Sequence, residues 1–525
     1  MYKRLLKLTI FSVLAFSAFT MANSVLAVTY TVADPTGDWG YPSLYGMYPR
    51  GPGYVRMSLI FDTLVWKNKE GIIPALAESW DYIPEENAYV FNLREDVTWH
   101  DGKKFNAADV VFTFNYIKEH PWEWVDSNVI KEAKEIDEYV VEIYLNKPYA
   151  PFLTNVAGTL PVIPKHVWEG VEKPDQFMSK EALIGTGPYR LADYNKAQGT
   201  YLYEAYDGYY MGKPEVDRIK FVKISAEIAP TALKRGEVNA SSVPPDILDD
   251  LRSKNLEIAE EPPTWAAKLI INHKKEPLSS KEFRRALACT IDREKIVQIV
   301  KRGYAVPGSI GLIPQSNRAW HNPNVRKYAY DVARAKSIIS DMGYTMDKDG
   351  YYHKDGERLE FELLAGSVFQ EEFSRIGELI KSDLEEVGIK INLRGLESKA
   401  ADARIKNWNF DLAVGGHGGL GGDPEALNRN IIGEGFNSVR YFQNEELVSL
   451  LKRQLQQMDI EERKQTVYRI QDIYAQELPA ITLYHPRWYW AHDGTVDIYY
   501  TDGGLALGIP IPLNKLSFLK YHEKR

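Results

Sequence analysis

The sequence has a single cysteine, Cys289, in 525 residues, and it carries no excess of positive charge. One cysteine cannot form an intrachain disulfide, so the fold must depend on its packed core. The formal net charge is −8, whereas binding to phosphate backbones requires a basic surface. We therefore expect no nucleic-acid partner.

Long apolar runs are missing after the first 27 residues, where no stretch approaches the roughly 18 residues of a membrane-spanning helix. Before that point, Lys3, Arg4 and Lys7 precede a mostly apolar run at 8–19, and Val25-Leu26-Ala27 follows. This pattern predicts a cleavable signal peptide at 1–27 rather than a membrane anchor. Cys289 lies far from that cleavage point and cannot carry an N-terminal lipid, so we expect an unlipidated periplasmic protein.

Signatures of catalysis are also missing, because neither G-x-S-x-G nor H-E-x-x-H occurs in the sequence. Cys289 stands beside Leu287 in a predicted helix and is expected to be buried and inert. The acidic pairs Glu260-Glu261 and Glu371-Glu372 point apart on regular elements, which predicts solvated carboxylates. We expect no catalytic residue and no enzyme activity. An exported hydrolase remains an alternative of a different class.

The remaining composition is that of a large globular protein, with 44% apolar and 26% charged residues. Its length predicts two or three folding units. Mixed strand and helix signals continue from Val28 to the end, which predicts an α/β or α+β fold. Clear helix starts are Asn106, the capping-box pattern Ser279-Ser-Lys-Glu282, and Asp292. Gly343 is a predicted helix stop.

Several local strings occur in a recognisable order along the chain. The longest joins Phe91-Asn-Leu-Arg-Glu-Asp-Val-Thr-Trp-His-Asp-Gly102 to Phe105-Asn-Ala-Ala-Asp-Val-Val-Phe-Thr113. The others are Phe61-Asp-Thr-Leu64, Pro74-Ala-Leu-Ala-Glu-Ser-Trp80, Pro164-Lys-His-Val-Trp168, Gly185-Thr-Gly-Pro-Tyr189, Phe283-Arg-Arg-Ala-Leu287, Ile291-Asp-Arg-Glu294, Tyr330-Asp331 and Ala335-Lys336. Together they resemble the bacterial extracellular solute-binding proteins of family 5, the peptide- and nickel-receptor branch. The resemblance spans about 60 to 485.

That resemblance implies a two-lobed, periplasmic-binding-protein-like fold with an extra subdomain inserted in the first lobe. Lobe I would comprise 28–65, 185–268 and 484–525, the insertion 66–184, and lobe II 269–483. Crossing segments near Lys268–Ile271 and Leu483–His485 would form the hinge. A ligand held in the cleft must favour the closed state, since equal affinity for both states shifts no equilibrium.

A glycine-dense segment is the main candidate for ligand contact. Phe410 to Val414 predicts a strand, and Gly415-Gly-His-Gly-Gly-Leu-Gly-Gly-Asp-Pro424 follows. Gly416 to Gly421 fits G-x-G-x-x-G, but the βαβ context of a dinucleotide site is missing. The other alternative is a flexible surface turn. Glycines between a strand and a helix allow close backbone approach, and the family resemblance implies that this loop lines the cleft.

The loop departs from the family pattern at one position. In the peptide receptors, an Asp three residues before the Asp-Pro pair meets the free amine of the ligand. In this sequence that position is Leu420, which cannot pair with an ammonium. Either Asp423 or a residue elsewhere replaces it, or the ligand has no amine there.

The remaining candidates are one histidine and four tryptophans. His417 would resemble a metal-chelate ligand of some nickel receptors, but no second ligand stands at metal spacing, and a hydrogen-bonding histidine is the alternative. Trp39, Trp265, Trp488 and Trp490 flank the predicted cleft segments and either stack on a ligand or pack in the core. The proposed ligand-binding set is Trp39, Trp265, Gly415, Gly416, His417, Leu420, Asp423, Trp488 and Trp490, with no resident metal or cofactor.

The resulting functional expectation is a monomeric substrate-binding receptor of an ABC importer. It would capture a peptide-like solute and deliver it to membrane permease subunits. A nickel-chelate receptor of the same family is the main alternative. An exported folding helper with a broad cleft would share the fold.

Overall fold

The computed structural model describes residues 27–366, 370–435 and 438–520. The predicted signal peptide at 1–27 therefore lies outside these ranges except for Ala27. Within them, no helix is long and apolar enough to cross a membrane. Most residues belong to elements packed around two large sheets.

The first large sheet has seven strands and is assembled from distant parts of the chain. In spatial order the strands are Glu257–Glu260, Tyr489–His492, Ala240–Val243, Thr29–Asp34, Arg218–Lys223, Thr200–Ala205 and Tyr189–Asn195. Thr29–Asp34 pairs in parallel with both of its neighbours. Helices Gly51–Ser58, Ala229–Lys234 and Leu248–Arg252 belong to the same part of the chain. We call residues 27–265 and 487–520 the seven-stranded half.

A smaller sheet is formed by the part of the chain that connects Thr29–Asp34 to Tyr189–Asn195. These two are the first strands of the seven-stranded sheet in sequence order. Its four strands, in order, are Ala77–Ile83, Ala88–Leu93, Val140–Leu145 and Ile130–Asp137. Helix Ala107–Glu119 packs against it, followed by Lys165–Trp168. A hairpin of Val65–Lys67 and Ile72–Pro74 precedes it.

The second large sheet has six strands: Ala305–Pro307, Ala480–Pro486, Ala266–Ile271, Leu412–His417, Glu360–Ala365 and Lys390–Gly395. All six residues of Ala266–Ile271 are buried, as expected for a central strand. The associated helices are Lys281–Thr290, Arg293–Lys301, Val332–Asp341, Gln370–Val387, Ser398–Lys406, Glu425–Ile431, Glu445–Gln454 and Ile460–Glu477. Short strands Thr345–Met346, Tyr352–Lys354 and Glu357–Arg358 form a small separate sheet. We call residues 266–486 the six-stranded half.

The chain passes between the two halves twice, at 261–265 and at 487–488. Each passage links a strand of one large sheet to a strand of the other. The predicted hinge segments Lys268–Ile271 and Leu483–His485 lie just beyond these passages, inside two neighbouring strands of the six-stranded sheet. The Glu261 amide donates a hydrogen bond of 2.9 Å to the Trp488 carbonyl, which ties the passages together.

Most of the local predictions are confirmed. Asn106 caps its helix in a capping box with Asp109, Asp292 accepts from the Lys295 amide, and Cys289 is 3% exposed. The capping box at Ser279 is wrong, because the helix begins at Lys281 and the Ser279 hydroxyl instead donates to Glu276.

Candidate functional site

The glycine-dense segment begins inside a strand. Leu412–His417 pairs with Ala266–Ile271, so that Gly415 lies opposite Lys268 and Gly416 opposite Ala267. A Cβ added to Gly416 would stand 1.9 Å from Cη2 of Trp265. The indole of Trp265 therefore lies directly on the backbone at Gly416, which only glycine permits.

Trp265 belongs to an aromatic group at the passages between the halves. Its ring centroid lies 6.2 Å from that of Trp488 and 6.5 Å from that of Phe373. Both tryptophans are half-buried. We call the surface formed by Trp265, Trp488 and Gly416 the passage wall.

Gly415 and His417 flank Gly416, and only His417 is buried. A Cβ on Gly415 would stand 2.7 Å from Ile270 Cδ1. His417 is 3% exposed, and neither ring nitrogen has a hydrogen-bond partner among the described residues. Burial lowers the pKa of His417 well below its usual range, and the nearby cations Lys268 and Arg429 lower it further. The imidazole is therefore neutral and can donate one hydrogen bond and accept one.

Lys268, on the strand next to His417, is also fully buried. Burial lowers the pKa of its ammonium to about 7. On the next strand His485 has its pKa lowered to about 4 by burial. Its Nδ1 donates to the Trp265 carbonyl and its Nε2 accepts from the Ser309 amide. Both ring nitrogens of His485 are therefore used in hydrogen bonds, one of which joins the first passage to the sheet.

Leu420 and Asp423 have structural partners. The Leu420 side chain is 2% exposed and packs in an apolar cluster with Leu427. Asp423 forms a bidentate ion pair with Arg463, at 2.6 and 2.9 Å, and also accepts from the Glu425 amide. Because Arg463 occupies both of its oxygens, Asp423 is not placed as a free receiver for a ligand ammonium.

Trp39 and Trp490 line a separate cavity of about 150 Å³ in the seven-stranded half. Its floor is apolar, with Phe221, Ile511 and Leu513 among the lining residues. A space of this size holds one side chain rather than a whole drug-sized ligand. The sequence-predicted tryptophans thus fall into two groups, Trp39 with Trp490 and Trp265 with Trp488.

One wall of this cavity carries a buried ion pair that sequence reasoning missed. Arg56 is 2% exposed and donates to Asp34 at 2.5 Å, while Trp39 Nε1 donates to the same oxygen at 2.8 Å. Burial raises the pKa of Asp34, but Arg56 and the hydrogen bonds outweigh it, so the net pKa is lowered. The ionised carboxylate fixes the Trp39 ring at the cavity edge.

A second cavity, of about 20 Å³, lies where the two halves meet. One side comes from the six-stranded half (Ser316, Asn317 and Gly421), and the other from Tyr500 to Gly504 and Pro510. Glu261, Pro262 and Thr264 of the first passage complete it. We call it the junction cavity.

Glu261 contradicts the prediction of a solvated acidic pair. Its neighbour Glu260 is exposed and pairs with Arg487, but Glu261 is 1% exposed. Thr264 donates to Oε1, whereas Oε2 has no hydrogen-bond partner within the described ranges. Burial raises the pKa of Glu261 to about 9. The prediction of two solvated carboxylates is wrong for Glu261, because only this carboxyl of the pair points from the first passage into the junction cavity.

The two halves meet through a second glycine-dense segment that the sequence analysis overlooked. A Cβ on Gly508 would stand 2.8 Å from Gly419 Cα, and both residues have positive φ, +87° and +85°. Backbones therefore pack directly against each other at 419–422 and 503–508. The density of Gly503, Gly504 and Gly508 is the sequence signal that could have revealed this contact.

Farther from the passages, the inserted sheet region also touches the six-stranded half. The Ala150 amide donates to the Leu455 carbonyl at 2.7 Å, and Asn155 donates to Glu425 at 3.2 Å. The passage wall and the junction cavity therefore lie where two halves in contact meet, whereas the cavity at Trp39 and Trp490 lies within the seven-stranded half. Among the described residues, no group of three or more histidine, cysteine or acidic side chains could hold a metal ion.

Comparison with known proteins identifies the family. The profile of the bacterial extracellular solute-binding proteins, family 5 Middle, matches residues 71–438. The match covers more than half of the sequence, and the chain belongs to this family.

Two curated relatives span most of the chain. The dipeptide-binding protein of Escherichia coli (strain K12) is 28% identical over 448 residues, which cover 78% of this chain and 80% of the relative. The oligopeptide-binding protein AppA of Bacillus subtilis (strain 168) is 28% identical over 434 residues, 78% of each chain.

The fold is also shared with solved structures. NikZ from Campylobacter jejuni, in complex with Ni(L-His), superposes with a TM-score of 0.76 at 24% identity, covering 91% of this chain and 97% of that one. The expected α/β, two-lobed periplasmic-binding-protein fold is confirmed.

Proposed function

We propose that this chain is the solute-binding receptor of an ABC importer and captures a peptide-like solute between its two lobes. The bounds expected from the sequence are 28–65, 185–268 and 484–525 with the insertion at 66–184 for lobe I, and 269–483 for lobe II. We propose that these bounds shift by a few residues, because strands Ala266–Ile271 and Ala480–Pro486 lie wholly in the six-stranded sheet. The passages at 261–265 and 487–488 would act as the hinge, because they are the short links between the two large sheets. Closure around the solute would signal the loaded state to the permease subunits.

The observation that carries the proposal is the wall of indole rings and glycine backbone at the passages between the two halves. Trp265 lies on Gly416, and Trp488 stands beside it. A peptide presents backbone amides and apolar side chains alternately. Glycine backbone suits the first and indole faces suit the second.

The 150 Å³ cavity between Trp39 and Trp490 would take one apolar side chain of the solute. Its lining is dominated by carbon, and the Asp34–Arg56 pair holds the Trp39 ring in place. Of the remaining predicted site residues, Gly415 and His417 would contribute at the strand end. Leu420 and Asp423 would support the loop rather than touch the solute, because one is packed in the core and the other is paired with Arg463.

The cellular setting is part of the same proposal. We propose export by the signal peptide at 1–27, no lipid anchor, a monomer in the periplasm, and no enzyme activity. The family description supports a solute-binding role. The two curated relatives, both named as peptide-binding, support the peptide assignment.

A second candidate is a receptor for a nickel chelate. It is favoured by His417, a neutral imidazole with two unpartnered nitrogens in the described structure. The similar fold of NikZ, solved with Ni(L-His), points the same way.

The experiment is native mass spectrometry of freshly purified protein without a histidine tag, combined with metal analysis. A retained mass that fragments as a peptide supports the first candidate. Stoichiometric nickel with a small organic mass supports the second. Protein that releases neither, and that binds no member of a tripeptide library by calorimetry, would overturn the peptide proposal.

A further inference from the structure

The junction cavity contains two buried polar atoms that the packing leaves unsatisfied. Glu261 Oε2 and the Tyr500 hydroxyl both lack hydrogen-bond partners within the described parts of the chain, and both residues line the cavity. Leaving a buried polar group unpaired is costly, so such an atom points to a further partner such as an ordered water or a bound ion. Two of them on one cavity form a stronger signal than either alone.

Hydrogen bonds hold the segments that line this cavity in place. The Asn317 amide donates to the carbonyls of Leu420 and Gly422, at 2.9 and 3.1 Å, and so fixes the glycine segment beside the cavity. The Leu420 amide donates to the Thr264 carbonyl at 3.0 Å. The wall from the six-stranded half is therefore tied to the first passage. Because the other wall comes from 500–504, the cavity exists only while the halves are in contact.

The size and polarity of the space select the group that fits. A volume of about 20 Å³ accepts a water-sized group. The hydroxyls of Thr264 and Tyr500 supply oxygen atoms beside the carboxyl. Asp502, exposed on the rim, adds a second negative charge. Oxygen atoms with excess negative charge favour a cation.

We infer that the junction cavity binds a compact monovalent cation of the ammonium type, with Glu261 as its carboxylate partner. The inference rests on the proposed capture of a solute between the lobes, for which the ammonium group of the solute would be one source. A free ammonium or potassium ion from the medium would be the other. On binding, the Glu261 carboxyl releases its proton to solvent and pairs with the cation as a carboxylate.

This assignment explains how a buried acid can stand at the junction. Burial holds Glu261 in its neutral form when the cavity contains no charge. Asp502 lies on the rim of the same cavity, and the Lys67 ammonium donates at 3.3 Å to the carbonyl of Gly504, which also lines it. An entering cation favours the ionised form of Glu261 over the neutral form. Because the cavity is lined by both halves, its occupancy by a cation is coupled to closure of the two halves.

The test compares Glu261→Gln with the matched control Glu260→Gln, which changes the exposed neighbour. Gln keeps the shape and a neutral head group, and unfolding midpoints establish that both variants fold. The probes are an equimolar tripeptide library, the same library N-acetylated, and ammonium chloride or potassium chloride in a tetramethylammonium buffer. Binding is measured by calorimetry at pH 7 in two buffers of different ionisation enthalpy, which counts released protons.

We expect Glu261→Gln to lose roughly 100-fold or more in affinity for the cation, because an uncompensated charge is left in a buried site. The wild type and Glu260→Gln should release about one proton per cation bound, and Glu261→Gln none. Dependence on the free amine of the library identifies the solute as the source. A response to the chlorides alone identifies the medium.

The inference fails if Glu261→Gln binds the library as tightly as the wild type and the chlorides give no heat that depends on Glu261. That result leaves solute capture intact. If the wild type binds no library member, the proposed peptide function fails, and the chloride titrations alone decide whether the cavity takes a cation.

Discussion

The substitution Gly416→Ala tests whether the passage wall is as tightly built as the structure shows. The added Cβ would stand 1.9 and 2.0 Å from two ring carbons of Trp265, and 2.8 Å from the Ala266 carbonyl oxygen. Carbon atoms in contact need roughly 3.5 Å, so the ring must move by more than about 1 Å. Overpacking of this kind costs about 1–3 kcal/mol in the free energy of unfolding.

The matched control is Gly418→Ala, two residues along the same segment. There the added Cβ would meet Trp265 only at 3.4 Å, an ordinary contact. We expect this variant to stay within about 0.5 kcal/mol of the wild type. Both variants are measured by urea unfolding and by ¹⁹F NMR of protein labelled with 5-fluorotryptophan, with the Trp265 resonance assigned from Trp265→Phe.

The expected result is a displaced Trp265 resonance and lower stability for Gly416→Ala alone, together with weaker solute binding. If the two variants show the same stability and an unmoved Trp265 resonance, the indole does not lie on the Gly416 backbone. Recognition of the solute by backbone and indole rings at the passage wall would then be refuted.

Three further predictions concern two buried ionisable groups and one cavity-lining ring. Asp423→Asn should lower the free energy of unfolding by about 3–5 kcal/mol because it strands the buried Arg463 charge, whereas Glu446→Gln, in a half-exposed pair, should cost less than about 1 kcal/mol. In a buffer without ammonium or potassium, Glu261 stays protonated in the folded state up to about pH 9 but ionises near pH 4.5 when unfolded. The native state thus holds one more proton in this window, and stability falls as pH rises. Between pH 6 and pH 8, urea unfolding should show the free energy of unfolding of the wild type falling by about 3 kcal/mol relative to that of Glu261→Gln. An equal change with pH in both proteins would contradict the burial of Glu261. Trp490→Ala should weaken calorimetric binding of peptides with apolar side chains by roughly 10-fold or more, with little change for glycine-rich ones, and a uniform loss would argue against a side-chain cavity.

Local sequence patterns predicted much of the secondary structure because the relevant interactions span only a few residues. Asn106 and Asp292 cap helices through hydrogen bonds to amides two or three positions along the chain. Gly343 ends a helix because its φ of +85° suits glycine. The capping box at Ser279 failed for a local reason of a different kind, since Glu276 competes for its hydroxyl.

The fold was predictable through the family strings, which extend along most of the chain. The candidate site was only partly predictable, because its geometry depends on contacts between distant segments. Pairing with strand Ala266–Ile271 places Gly416 beneath Trp265. The residues near Gly416 in the sequence do not predict this contact. The division of the tryptophans into two groups has the same origin.

Charged positions were the hardest to predict. Glu260 and Glu261 are chemically identical neighbours, yet one is solvated and the other is 1% exposed. The difference arises from the direction in which the passage leaves the first sheet. Asp423 was a candidate ligand group because its partner, Arg463, stands on a helix that sequence alone does not bring close.

The most direct test of the central claim is small-angle X-ray scattering of the protein, first stripped of ligand by unfolding and refolding and then titrated with a peptide that calorimetry shows to bind. Capture between two lobes predicts a larger radius of gyration for the stripped protein, falling with the same midpoint as the calorimetric curve. A radius that stays constant while the peptide binds would contradict closure of the lobes around the solute.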